Sequence, residues 1–154
     1  MKQDNLENNV LVSEIKSLIE QSKQQVSVAV NATITMLYWQ IGKRIKFEIL
    51  KNNRADYGEK IVQSLSAQLE LEYGKGFSKR NLFNMMKLAE VFPDEKIVVS
   101  LIRQFSWTHF LAVIPIEDPL KRMFYIEMCK IEKWSVRTFC RRRYSQSFVS
   151  PLAH

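Results

Sequence analysis

The chain has 154 residues, a formal net charge of +7 and 46% hydrophobic residues. This length suits one domain, and the hydrophobic content excludes a disordered chain. Gly and Pro contribute four residues each, too few for the regularly spaced turns of an all-β sandwich or barrel. We therefore expect a mainly all-α fold, a bundle of five to seven helices with at most one minor hairpin.

The positive charge is concentrated near the C-terminus. Residues 121–154 carry eight Lys or Arg and two Asp or Glu, whereas residues 1–72 carry nine of each. This asymmetry indicates a polyanionic partner, either nucleic acid or an anionic membrane surface. A solvated basic tail is the alternative interpretation.

Targeting and metal-binding patterns are absent from the sequence. Met1 is followed by polar residues, and no window approaches the roughly 18 apolar residues of a membrane span. We expect a cytoplasmic protein with no membrane contact. Cys129 and Cys140 fit no zinc spacing, so we expect buried, unreactive thiols and predict neither a metal nor a cofactor.

The first helix is predicted to be long. We expect a frayed or disordered segment 1–9, a single helical domain over 10–148 and a tail over 149–154. Apolar or small residues recur at steps of three and four, which is the helical period; they are Ile15, Ile19, Ser22, Val26, Val30, Thr33, Leu37, Ile41 and Ile45.

Part of this helix also has the pattern of a strand. Residues between Val26 and Met36 alternate with period two and include several β-branched types. We predict helix, because no turn residue lies between Val10 and Gly42. A helix of about 40 residues would be roughly 60 Å long, so it must break or pack against a second subunit, which suggests a homodimer through this helix.

Turn and capping residues predict where the other helices begin and end. Asn52, Asn53 and Asp56 mark a turn, and Gly74 is placed to cap the following helix at its C-terminus. Residues 97–105 are ambiguous between a short helix and a strand.

One helix-start pattern, an aromatic residue followed by Ser, occurs three times. The Ser can serve as N-cap, and the aromatic ring can pack on the N4 residue as a hydrophobic staple. Asp118 followed by Pro is a fourth start. The predicted caps are Ser78, Ser106, Asp118 and Ser135.

The helix after Ser78 begins with two cations. Lys79 and Arg80 lie where the helix dipole is already positive, an unfavourable arrangement that a bound phosphate would offset. Asn81 and Asn84 share a face and belong to the residue types that pair with adenine. A helix, a turn at residues 74–76 and this basic helix have the layout of a helix-turn-helix unit. The predicted DNA-binding residues here are Lys75, Lys79, Arg80, Asn81, Asn84 and Lys87.

A second basic cluster follows Ser135. Arg137 and Arg141 are separated by four residues and share a helix face, and guanidinium groups suit phosphate contacts. We add Arg142 and Arg143 to the predicted DNA-binding set. For both clusters the alternative is a solvated helix edge; an amphipathic membrane helix is disfavoured for the second, because its apolar face is short.

Two strings with a catalytic appearance are discounted. Residues 93–96, with the letters PDEK, are consecutive at a predicted helix start, whereas a PD-(D/E)xK nuclease site draws its acidic ligands and Lys from separate strands. His109 has no Ser, Cys or carboxylate at triad-like spacing. We therefore predict no catalytic residue.

A family resemblance supports the same interpretation. The strings GFSKRNL at residues 76–82, LYWQIG at 37–42, FSWTH at 105–109 and WSVR at 134–137 stand in this order. In this they resemble the N-terminal domain of the bacterial YhcG-type family of predicted PD-(D/E)xK nucleases, over roughly residues 10–148.

The resemblance implies a mostly helical, helix-turn-helix-like DNA-binding module that normally precedes a nuclease domain. The chain stops before nuclease strands would occur, which we interpret as an isolated N-terminal domain or a naturally short member. We therefore predict a non-enzymatic module whose partner is nucleic acid, and duplex DNA in particular. The alternative is a protein-interaction and dimerisation module with a basic surface for an acidic partner.

Overall fold

The computed structural model describes residues 2–52 and 56–145, and within them every regular element is helical. The prediction of an all-α fold is confirmed. The elements are α1 (Lys2–Lys51), α2 (Tyr57–Tyr73), a 3-10 turn (Lys75–Phe77), α3 (Lys79–Val91), α4 (Glu95–Leu101), α5 (Trp107–Val113), α6 (Pro119–Glu132) and α7 (Val136–Ser145).

Two segments had a sequence pattern compatible with either a helix or a strand, and neither forms a strand. Residues 26–36 are helical within α1, as the absence of turn residues predicted. Residues 97–101 complete α4, and the chain then turns before Phe105. Helix α1 begins at Lys2, so it includes the segment 2–9 for which we expected fraying, while Asn53 and the tail 149–154 lie outside the described residues.

The long helix α1 does not break. Its 50 residues correspond to about 75 Å at 1.5 Å per residue. Only the second half packs on the domain, and the described side chains between residues 2 and 27 are exposed.

Helix α3 lies across the second half of α1 at very short range. A Cβ atom on Gly42 would lie 1.9 Å from the carbonyl oxygen of Met85. Only glycine permits the two backbones to approach this closely. The crossing is reinforced by Trp39, whose indole N–H donates to the Phe92 carbonyl over 2.8 Å.

Two apolar clusters form the interior. The larger joins α1, α3 and the helices from α4 to α7, and its fully buried rings include Phe110, Tyr125 and Phe139. The smaller cluster joins α1, α2 and α3 around Val62 and Met85. Cys129 lies in the larger cluster, and burial raises its pKa to about 11, as expected for an unreactive thiol. Cys140 is half-buried at the edge of that cluster, so the expectation of a buried thiol was wrong for this residue.

None of the described helices is both long and apolar enough to cross a lipid bilayer.

Candidate nucleic-acid interface

The predicted helix caps are confirmed. The Ser78 hydroxyl accepts from the Asn81 N–H over 3.2 Å, and the Ser135 hydroxyl accepts from the Thr138 N–H over 3.2 Å. The Asp118 carboxylate accepts from the Leu120 N–H over 3.0 Å.

Ser106 caps α5 in a different way. Its backbone N–H donates to Nδ1 of His109 over 3.2 Å, which gives the reciprocal half of a capping box. Phe105, which precedes this cap, packs edge-on against Phe110 with ring centroids 5.7 Å apart, as a hydrophobic staple requires.

The turn between α2 and α3 is compact because of Gly74. Its φ of +97° lies in the range that favours glycine, and its N–H donates to the Glu70 carbonyl, so it caps α2 as predicted. The 3-10 turn follows, and its first residue, Lys75, is exposed. The chain then enters α3 after Ser78.

One side of α3 is buried and the opposite side carries the predicted binding residues. Leu82, Met85, Leu88 and Ala89 face the interior. At 3.6 residues per turn the exposed positions of α3 lie together on the opposite side. This face, hereafter the α3 face, carries Lys79, Arg80, Phe83, Asn84 and Lys87; Asn84 is half-buried and the others are exposed. Glu90 is exposed on the same side at the last turn of α3, where its carboxylate lies 3.9 Å from Lys46 Nζ of α1.

The cation at the start of α3 has a carboxylate partner. Lys79 Nζ lies 3.2 Å from Glu59 Oε1, which projects from the first turn of α2. The sequence suggested that a phosphate would offset the cations at this positive helix end. The structure shows that Glu59 offsets one of them, and no sequence signal linked two residues 20 positions apart.

Asn81 differs from the other predicted residues of α3. Its amide nitrogen donates to the Gly76 carbonyl, and its amide oxygen accepts from the Trp107 indole N–H over 3.2 Å. The side chain is half-buried and lies off the α3 face. Asn81 therefore fixes the turn and the start of α5, a role that its spacing from Asn84 did not reveal.

The arginines of α7 divide between two sides of that helix. Phe139 anchors the inner side in the larger cluster, whereas Arg137 and Arg141 lie exposed on one outer side. The Arg142 guanidinium lies 5.8 Å from the centre of the Trp134 ring. The side chain of Arg143 lies outside the described part of the chain.

Hydrogen bonds link the three aromatic–Ser helix starts to one another. Trp107, the first residue of α5, donates to Asn81 in the first turn of α3. His109, in the first turn of α5, bonds through Nε2 to the Trp134 carbonyl over 3.1 Å, directly before α7. Because Nδ1 accepts from an N–H, Nε2 carries the proton and is the donor. The starts of α3, α5 and α7 therefore adjoin in that order.

The discounted catalytic strings have structural roles. The Asp94 carboxylate caps α4 by accepting from the Lys96 N–H over 3.0 Å, and His109 links two helix starts. Among the residues that the structure describes, no group of three or more His, Cys, Asp or Glu side chains is placed to hold a metal ion.

Sequence reasoning missed one residue on the α3 face. Phe83 is 40% exposed, although a Phe in an amphipathic helix is first assigned to the core. Its positions three residues after Arg80 and four before Lys87 place it between two cations, and the helical period would have identified it. A nucleic-acid surface uses such a ring to contact thymine methyl groups or to stack on bases.

Comparison with known proteins gives one family and one relative. Residues 14–150 match the model described as "DUF1016 N-terminal domain". A protein of Escherichia coli (strain K12) named "Putative nuclease YhcG" is 39% identical over 69 residues, which is 44% of this chain. The match spans 18% of that relative's own length. No solved structure matches the chain.

Proposed function

Since the chain belongs to the DUF1016 N-terminal domain family, we propose that it is a non-catalytic DNA-binding module that acts beside a nuclease domain. The α3 face enters the groove of a duplex, and Arg137 and Arg141 of α7 contact the phosphate backbone. The helix before α3 and the turn at residues 74–78 complete a helix-turn-helix-like unit.

The observation that carries this proposal is the junction of the three helix starts. Each start has the positive end of a helix dipole and backbone N–H groups that lack a partner within the helix, both of which favour anions. Two of these starts also carry exposed cations, Arg80 on α3 and Arg137 on α7. The hydrogen bonds through Trp107 and His109 hold the basic starts in one fixed arrangement, which a polyanion can contact without reorganising the protein.

The side chains on the α3 face suit a groove. Arg80 and Lys87 can contact guanine edges or phosphates, Asn84 can pair with adenine, and Phe83 supplies an apolar contact. Phosphate contacts set the position of a protein on DNA and base contacts set its specificity. We therefore assign positioning to α7 and to the start of α3, and base contacts to Asn84 and its neighbours.

The name of the relative supports the proposal that a nuclease domain accompanies this segment. That protein is named as a nuclease, and the shared segment covers 18% of it. We propose that the segment delivers a nuclease to its DNA substrate and leaves the cutting to the other domain.

The direct test is fluorescence anisotropy of a labelled duplex titrated with the chain. We expect Arg80→Ala combined with Lys87→Ala to weaken binding about ten-fold, because two cations leave the α3 face. Lys16→Ala combined with Lys23→Ala is the matched control, since it removes the same charge from the exposed half of α1. Equal weakening by both double variants would show that binding depends only on net charge, and would contradict the proposal.

A protein-interaction module with an acidic partner is the second candidate, favoured by the exposed cations of α3 and α7, which carboxylates can pair with as phosphates can. Competition separates the two functions. A double-stranded competitor should displace the labelled duplex at far lower concentration than an acidic peptide of equal charge. The reverse order would favour the protein partner.

A further inference from the structure

The outward side of α1 carries an apolar stripe from Leu11 to Leu37. Its members lie three, four or seven residues apart, except the neighbours Leu18 and Ile19, and each is between 44% and 65% exposed. The stripe consists of Leu11, Ile15, Leu18, Ile19, Val26, Val30 and Leu37, hereafter the α1 stripe. Monomeric proteins rarely expose so long an apolar surface, so its presence indicates a partner.

The α1 stripe does not face the domain. Thr35, Trp39 and Gly42 point towards the interior, and at 3.6 residues per turn the stripe lies on the opposite side of α1. The periodic residues that predicted this helix therefore mark, from Ile15 to Leu37, an outward-facing surface. No described helix of the same chain covers it.

The stripe continues into a groove between α1 and α2. Beyond Leu37 the same side of α1 passes through Ile41, and the groove there has a volume of about 510 Å³. Ile61, Leu65 and Leu69 of α2 line its other side. Arg44 and Glu48 form a 2.6 Å ion pair at its edge. An apolar helix laid along the stripe would thus reach a concave apolar site.

The distribution of charge along α1 selects one orientation for a second copy. Residues 2–23 carry three lysines and four acidic residues, residues 24–42 carry no charge, and residues 43–51 carry four cations and one Glu. A parallel pair would place like ends together. An antiparallel pair places the acidic end of each helix against the basic end of the other and opposes the uncharged centres.

We propose that the α1 stripe is covered by a second copy of this chain. The two α1 helices pair antiparallel about a two-fold axis that crosses them near residue 28, so that Ile15 of each copy opposes Ile41 of the other. Leu11, Ile15 and Ile19 of each copy then fill the groove between α1 and α2 of its partner. Such a contact is isologous and closed, which limits the assembly to a dimer.

This inference is independent of the DNA-binding proposal, because the α1 stripe shares no residue with the α3 face or the arginines of α7. Its test therefore needs no DNA.

Light scattering coupled to gel filtration measures the first consequence. We expect twice the mass of one chain for the wild type and the mass of one chain for Ile15→Glu combined with Ile19→Glu. Both residues are about half exposed in one copy, so the helical content by circular dichroism should be retained. Ser17→Glu combined with Gln21→Glu, on another side of the same segment, is the matched control and should stay dimeric.

A spin-label distance measures the orientation. With a nitroxide at Ser13→Cys in a Cys140→Ser background, antiparallel helices place the two labels roughly 45 Å apart along the helices. Parallel helices would place them within about 25 Å. A wild-type monomer at 100 µM, as about the highest practical concentration, would overturn the proposal. So would a dimer with the short distance, a dimer that survives the Ile15 and Ile19 changes, or a monomer that binds anionic lipid vesicles.

Discussion

The sequence predicts the position of Lys79 at the start of a helix, but it does not predict the carboxylate that pairs with it. The sequence places a cation where a helix dipole disfavours it, and the structure places the Glu59 carboxylate 3.2 Å away. The pair is largely exposed, so its contribution to stability is small. Under the proposed function its consequence is for binding, because a carboxylate beside the α3 face repels phosphate.

Glu59 provides a prediction with a definite sign. We expect Glu59→Gln to tighten duplex binding roughly two- to five-fold, because it removes one negative charge near the phosphates and releases Lys79 to contact them. Anisotropy titration at low salt measures the change, and the melting temperature should move little.

Glu20→Gln is the matched control for Glu59. It also removes the acidic member of an exposed ion pair, with Lys23 at 4.0 Å, but it does so on the exposed half of α1. Its effect on duplex affinity should be smaller. Unchanged or weaker binding by Glu59→Gln would show that this carboxylate does not face the DNA.

At the scale of elements, local chemistry predicted the helix starts well. A Ser or Asp at an N-cap acts through bonds to backbone within three residues, so Ser78, Ser135 and Asp118 could be recognised without knowing the fold. Contacts between residues that are distant in sequence cannot be predicted in this way. Nothing near Asn81 in sequence shows that its amide bonds to Trp107, since that contact depends on how α3 and α5 pack.

The period of α1 illustrates a second limit. Periodicity showed that residues 15–45 are helical, but it could not show which side faces the interior. The side with the stronger apolar pattern is exposed as far as Leu37, and the buried side includes Thr35, Trp39 and Gly42. Small and mixed residues pack inward there because α3 approaches so closely.

The crossing of α1 and α3 gives an element-scale prediction. Alanine favours a helix over glycine by about 1 kcal/mol, yet we expect Gly42→Ala to destabilise the fold by about 1–3 kcal/mol. The added methyl group would lie 1.9 Å from the Met85 carbonyl oxygen, and backbone must move to admit it. Chemical denaturation measures the free energy of unfolding.

Gly58→Ala is the control for this crossing. Its Cβ would meet only the Ile49 side chain, at 3.4 Å, so the helix preference of alanine should leave stability unchanged or raised. A Gly42→Ala chain as stable as the wild type would contradict the described approach of α1 to α3.

For the whole molecule, the sequence predicted the fold class and both basic clusters, but not their relation. Most of the net charge of +7 lies in residues 121–154, far along the chain from the start of α3. The clusters are related through the packing of α5, whose first turn bonds to the starts of both α3 and α7. Long-range contacts of this kind have no local signature, and they turn two basic segments into one proposed binding surface.

If α3 and α7 contact the same duplex, as we propose, both basic clusters contribute to the salt dependence of binding. The slope of log K against log [salt] should fall by about 0.9 for each phosphate contact removed. We expect Lys79→Ala with Arg80→Ala, and separately Arg137→Ala with Arg141→Ala, each to reduce the slope by up to about 1.8. The four changes together should reduce it by the sum of both losses. If the slope does not change when one of the two pairs is replaced, that helix does not contact the phosphates and the shared binding surface is wrong.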